Sequence, residues 1–264
     1  MKTTTIGILL LALVSESYAF SVLPSQNGLR TSIASHCTLC MSASEAPAVT
    51  GGFIETELRG QAMKLHTRAQ APKEGEAPEK KQVEPYTPTH ADYLKFLVDS
   101  ECIYQAFEDV VNELDELSVF RNTGLERVGA LEQDIEFMVS EYNEERPAVG
   151  KPGLSYAKEI RTFGKGKKIP EFMCHFYNFY FAHTAGGRMI GKQMSSLLLD
   201  KKTLEFYKWD GDLNEIKTKV KNDIEEMVSH WSREQKDACV NETAGAFRGG
   251  GMINSYLSGG RSPH

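Results

Sequence analysis

The stretch from residue 171 to residue 194, EFMCHFYNFYFAHTAGGRMIGKQM, decides how the rest of the chain is read. It opens after Pro170, a residue suited to the first turn of a helix. It is apolar or aromatic on nearly every side, which predicts a helix enclosed by other elements. Gly186, Gly187 and Gly191 interrupt it, and each glycine inside a helix costs about 1 kcal/mol relative to alanine. Two compensations are open. Without Cβ atoms the backbone can lie against a flat ligand, or the glycines can serve a helix crossing or a kink.

Upstream, Ile54, Leu58, Ala62, Leu65 and Ala69 recur every three or four residues and predict a first amphipathic helix. Residues 71–88, rich in Pro, Lys and Glu and without a period, read as a mobile surface connection. Thr89 with Asp92 resembles a capping box for a helix that places Tyr93, Leu97, Tyr104, Phe107, Val111 and Leu114 on one face. A third stripe runs through Leu125, Val128, Leu131, Ile135 and Met138 until Pro147, Gly150, Pro152 and Gly153 stop it, and a short helix follows over 154–162. Downstream, an aromatic anchor over 206–210 precedes a helix with Leu213, Ile216, Val220, Ile224, Met227 and Trp231 inward. Ser232 with Gln235 caps a last helix through Cys239 and Phe247, which the glycines at 249–251 then break or bend. No strand alternation appears, so the expected fold is all-α, a single domain of about seven or eight helices without repeats.

With 264 residues and a net charge of −6, the chain is long enough for a substantial core and carries no charge signature of nucleic-acid binding. Residues 1–19 have a basic start, a short apolar run and a small-x-small cleavage site, as in a signal peptide. Residues 20–46, beginning at Phe20 and almost without acidic groups, have the composition of a transit peptide. The pair predicts two-part delivery to a plastid bounded by extra membranes, with plain secretion as the alternative, and leaves 47–264 as the folded domain. No later segment is apolar enough for a membrane helix, so no membrane anchor is expected. Of five cysteines, Cys37 and Cys40 lie in the targeting region, while Cys102, Cys174 and Cys239 read as small buried apolar residues.

Arg59 and His66 stand two turns apart on one face of the first helix, about 10 Å along its axis. That spacing suits an axial ligand and a counter-charge at the edge of a haem, although a lone helical histidine is more often structural. Lys217 and Lys221, four apart, share a face, and on spacing alone a solvated surface pair is the more common reading.

Five segments, AMKLHT (62–67), YLKFLVDS (93–100), FRNTGLER (120–127), CHFYNFYFAHTAGGRMIG (174–191) and LEFYKWDG (204–211), closely resemble a haem oxygenase of the plant and algal plastid type. The resemblance spans about residues 52–250. It implies haem clamped between a proximal helix carrying the iron ligand, His66, and a distal helix kinked at Gly186 and Gly187. It places Arg59, Tyr177, Lys217 and Lys221 at the propionates, Tyr104 in the distal polar network and Phe247 on the pocket wall. Where animal and bacterial relatives have a glycine, an aspartate and a serine before the distal glycines, this chain has Ala182, His183 and Ala185, and Phe179 replaces an arginine.

The implied reaction opens haem, both substrate and cofactor, with O2 at the α-meso carbon to give biliverdin IXα, carbon monoxide and ferrous iron. His183 is expected to donate a hydrogen bond to bound oxygen or to pass protons, with a packing role as the alternative; His175 reads as structural. No flavin or nicotinamide fingerprint is present, so electrons are expected from outside the chain. The resemblance implies reduced ferredoxin as their donor, with Arg59, Lys64, Lys217 and Lys221 as candidate docking residues. A bilin reductase is the implied consumer of the product, and a monomer is expected. The rival reading is a non-catalytic haem carrier or sensor of the same fold.

Overall fold

The structure, a computed structural model, describes residues 51–70, of which 66–70 by backbone alone, and 86–259. The expected signal and transit segments, and the connection at 71–88 up to residue 85, lie outside the described residues. Among the described residues there are nine α-helices and no strand: α1 (Arg59–Gln70), α2 (His90–Glu113), α3 (Val128–Glu141), α4 (Lys151–Lys165), α5 (Ile169–Ala182), α6 (Arg188–Leu198), α7 (Leu213–Ser229), α8 (Arg233–Asn241) and α9 (Thr243–Asn254). The all-α expectation holds. Single π turns lead into α1 (Ile54–Leu58) and join α5 to α6 (His183–Gly187).

Helix α2 packs against α3 and α4, and α5 packs against α8 and α9. The seam between the two groups is aromatic. Phe107 of α2 is fully buried with its ring 5.7 Å from Phe172, 6.3 Å from Phe176 and 5.4 Å from Phe179. Both expected capping boxes form, at Thr89 with Asp92 and at Ser232 with Gln235.

Helix α4 has no side-chain cap of its own, and the carboxylate of Asp99 on α2 supplies one. Asp99, buried, accepts from the backbone N–H of Gly150 at 2.6 Å and of Gly153 at 2.9 Å, and from the Tyr256 hydroxyl at 3.0 Å. A Cβ at Gly153 would stand 2.7 Å from that carboxyl carbon, so glycine there permits the approach of α2 to α4. At the other end, Glu225 of α7 accepts from the N–H groups of Phe53 at 2.9 Å and Ile54 at 2.8 Å. This ties the turn before α1 to α7, because helix N-terminal N–H groups need an acceptor.

Two boundaries differ from expectation. The last helix is divided near Glu242 into α8 and α9, and the glycines at 249–251 continue as helix instead of breaking it. At Gly249 the reason is packing: a Cβ there would lie 2.3 Å from the ring of Tyr156. Helix α4 also begins earlier than expected, with Pro152 in its first turn. Cys174 and Cys239 are buried and Cys102 half-buried, all three as free thiols.

Replacing Asp99 by Ala removes the acceptor for two backbone N–H groups and one hydroxyl in the interior. Urea unfolding should show a loss of about 3 kcal/mol, since each buried donor left unpaired costs roughly 1–3 kcal/mol.

Candidate active site

The π turn His183–Gly187 is where the enclosed helix gives up its regular ladder, and its glycines have separate roles. A Cβ at Gly187 would stand 2.7 Å from Nδ1 of His183, and one at Gly191 would stand 2.7 Å from the ring of Tyr207. Both glycines therefore make room for side chains of this chain. At Gly186 a Cβ would meet nothing within 4 Å, so there the bare backbone presents an open face.

His183 is buried, 8% exposed, with its ring stacked on Phe206 at 4.0 Å. Its Nε2 lies 2.8 Å from the carbonyl oxygen of Phe206. A carbonyl can only accept, so Nε2 carries the hydrogen. Burial pushes the imidazole down to about 3, against the raising effect of that hydrogen bond and with a further lowering from the charge of Arg127. The ring is neutral at ordinary pH and its single N–H is spent. In this geometry the hydrogen of Nε2 goes to the Phe206 carbonyl and the remaining nitrogen, Nδ1, offers a lone pair.

Tyr104 of α2 is fully buried beside this ring, 6.0 Å from His183, 5.0 Å from Tyr180 and 5.6 Å from Phe206. Burial holds its phenol well above the usual range, so it is a hydroxyl at every working pH. The structure thus brings Tyr104 together with His183. Phe179 fills the other flank, 4.9 Å from Tyr104.

On the neighbouring side, Arg59 of α1 donates to Glu55 at 2.7 Å and Lys221 of α7 donates to the same carboxylate at 2.9 Å. The two cations hold Glu55 below the usual carboxylate range, the Lys221 hydrogen bond first. Tyr177 of α5 adjoins the cluster: burial, with the Glu55 charge next, pushes its phenol up to about 12. Its ring stacks on Phe181 at 4.6 Å, and the Lys221 ammonium lies 5.8 Å from that same Phe181 ring. The structure therefore brings together Arg59, Tyr177 and Lys221, three of the residues expected at the propionates. Lys217 is half-buried one turn before Lys221, and Phe247 is half-buried on α9, which packs against both α1 and α5. His66 lies in α1, two turns after Arg59, and its side chain is outside the described residues.

Two acidic residues went unread in the sequence. Glu55 organises the basic cluster. Asp134, on α3, accepts from the backbone N–H of Glu205 at 2.9 Å and of Phe206 at 2.7 Å. Its signal was present, because Leu131, Asp134, Ile135 and Met138 share one helical face and an acid on an apolar stripe is anomalous. The cluster of Glu159, His175 and Glu242 is closed: the Tyr156 hydroxyl lies 2.9 Å from Nδ1 of His175, and Nε2 lies 3.3 Å from Glu242. That agrees with a structural His175.

The geometry defines an all-α protein in which a glycine-kinked helix stands beside a basic cluster from α1, α5 and α7. The open backbone at Gly186 suits a flat ligand, and the cluster, which already binds a carboxylate, suits an acid-bearing edge. No family model matches the chain. It is 44% identical over 223 residues to heme oxygenase 1, chloroplastic, of Oryza sativa subsp. japonica, covering 82% of this chain and 76% of the relative. It is 41% identical over 213 residues to heme oxygenase 1, chloroplastic, of Arabidopsis thaliana, covering 78% and 74%. The chain belongs to the haem oxygenase family and is a haem-degrading enzyme. Its fold matches that of Synechocystis heme oxygenase-1, solved with heme, at a TM-score of 0.59 and 20% identity over 79% of this chain and 93% of that one. It also matches heme oxygenase 2 from Chlamydomonas reinhardtii, solved without heme, at 0.60 and 15% identity over 79% and 99%.

Because the His183 pKa is depressed from 6.5 to about 3 on folding, its contribution to stability is complete above pH 6.5 and is lost as pH falls toward 3. The unfolding free-energy difference between the wild type and His183→Gln should therefore shift against the wild type from pH 7 to pH 4. Urea titrations at several pH values read that difference.

Proposed function

We propose that the chain binds haem with His66 as iron ligand and opens it at the α-meso carbon, releasing biliverdin IXα, carbon monoxide and ferrous iron. The observation that carries this reading is the convergence of Arg59 and Lys221 on one carboxylate, with Tyr177 adjoining them, beside the helix that the π turn interrupts. Such a cluster is matched to a propionate edge, where charge-assisted hydrogen bonds fix orientation as well as affinity. Bound haem supplies both the ring that is oxidised and the iron that activates O2.

The chain's own residues divide the remaining work. His66 supplies a neutral imidazole, which pushes less toward O–O cleavage than a thiolate would. Arg59, Lys217, Lys221 and Tyr177 hold the acidic edge and so set which ring carbon faces the distal wall. Gly186 lets the backbone come close there, and Phe247 lines the pocket. His183 accepts a hydrogen from a distal water while Tyr104 supplies a nearby hydroxyl. Electrons come from reduced ferredoxin, an acidic partner that a basic patch at this edge attracts although the whole chain carries a net charge of −6. The enzyme works as a monomer in a plastid, reached by the signal-plus-transit route, and passes its product to a bilin reductase. The chloroplastic relatives support that address.

Two outcomes follow. His66→Ala should abolish or greatly slow turnover, with partial rescue by added imidazole; unchanged turnover on loaded haemin sinks the ligand assignment. Gly186→Val should leave the thermal midpoint of the haem-free protein within a few degrees of wild type while weakening haemin binding at least tenfold in a Soret titration. Undiminished affinity would show that the open face at Gly186 is not where the ring lies.

A further inference from the structure

The orientation of the distal histidine is fixed from a helix outside the distal segment. Asp134 is 3% exposed on the inner face of α3, a costly place for a carboxyl group unless it is well paired. Burial pushes it up to about 6, so it is largely ionised at neutral pH and offers acceptors alone. Both of its oxygens are used within a single turn, on the N–H groups of Glu205 and Phe206, which open the short helix Glu205–Tyr207. The Phe206 residue so held then turns its carbonyl to His183 Nε2 and its ring to the face of the imidazole. Tyr207, next in line, has its hydroxyl 3.2 Å from that of Tyr93 and its ring in the space that Gly191 leaves. The turn is held at its N–H groups, its carbonyl and its neighbouring ring, which together restrain the carbonyl at His183.

We propose that Asp134 is a positioning residue of the distal site: through Phe206 it locks His183 as the Nε2–H tautomer and presents Nδ1 as a hydrogen-bond acceptor above Gly187. The ligand chemistry this selects is a donor, a water or hydroxyl that gives one hydrogen to Nδ1. A water held this way keeps its second hydrogen for donation into the pocket. The ring itself cannot donate there without first losing the Phe206 carbonyl. The catalytic consequence rests on the reading of His183 to Gly187 as the distal wall of the haem site, whereas the tautomer does not.

Ring-nitrogen NMR of the haem-free full chain labelled with 15N-histidine tests this, His183 being assigned by its absence in His183→Gln. Wild type should show His183 with Nε2 protonated and Nδ1 unprotonated across neutral pH. Asp134→Asn turns an amide NH2 against one of the two backbone donors, and Asp134→Ser leaves one short acceptor. Both variants are prepared so that failure of one to fold leaves the other. In the folded variant the single tautomer should give way to a mixture. Leu131→Ala, on the same face of α3, should lower stability and leave the tautomer unchanged, which separates positioning from general loosening. A protonated Nδ1 in wild type, or an unaltered Nε2–H tautomer in the Asp134 variants, overturns the proposal. The expected tautomers in a protein that does not consume haem would sink the proposed function and leave this inference standing.

Discussion

Two side chains occupy the space that Cβ atoms would take on the kinked helix: the imidazole of His183 at Gly187 and the ring of Tyr207 at Gly191. Interiors are packed too closely for both a methyl group and a ring in one place, so these glycines are a steric condition of the site. Because they are bare, the turn Glu205–Tyr207 can lie against the helix, and from that turn the restraints pass to Asp134 on α3 and Tyr93 on α2. Gly186 alone of the three keeps its open face. The π turn thus combines one bare backbone position with a ring hydrogen-bonded from outside the helix.

The opposite demand, for charge, is met on a more exposed surface. Arg59, Lys221 and Glu55 are each between about a third and a half exposed, so their ion pairs add little to folding. Their weakness suits exchange, since a ligand carboxylate can take the position of Glu55 without dismantling a buried network. Burial of Tyr177 and the stacking of its ring on Phe181 give the cluster a rigid side. The packed π turn and the more exposed cationic cluster are therefore built by different forces, packing for the first and screened electrostatics for the second.

Much of this was legible in the chain because the signals were local. Apolar spacing and two capping boxes announced the helices, and the all-aromatic stretch announced which of them is enclosed. Arg59, Tyr177 and Lys221 were named from a resemblance, and the fold brings them together. What was not legible depends on tertiary contact. The glycines at 249–251 looked like a break, yet the Tyr156 ring that fills the space beside Gly249 is distant in sequence. His183 was read as donor, proton carrier or packing residue from its chemistry alone, and its partner is a backbone carbonyl that no side-chain pattern reveals. Asp134 left a trace as an acid on an apolar stripe, and Glu55 left none.

The central claim is that this fold opens haem at one particular carbon. The most direct measurement loads the chain from residue 47 onward with haemin, adds a ferredoxin reducing system in air, and follows the Soret band together with the isomers of the product. Loss of the band with biliverdin IXα as the single isomer and ferrous iron released is the result expected. A Soret band that persists after confirmed reduction, or a mixture of biliverdin isomers, would contradict the account.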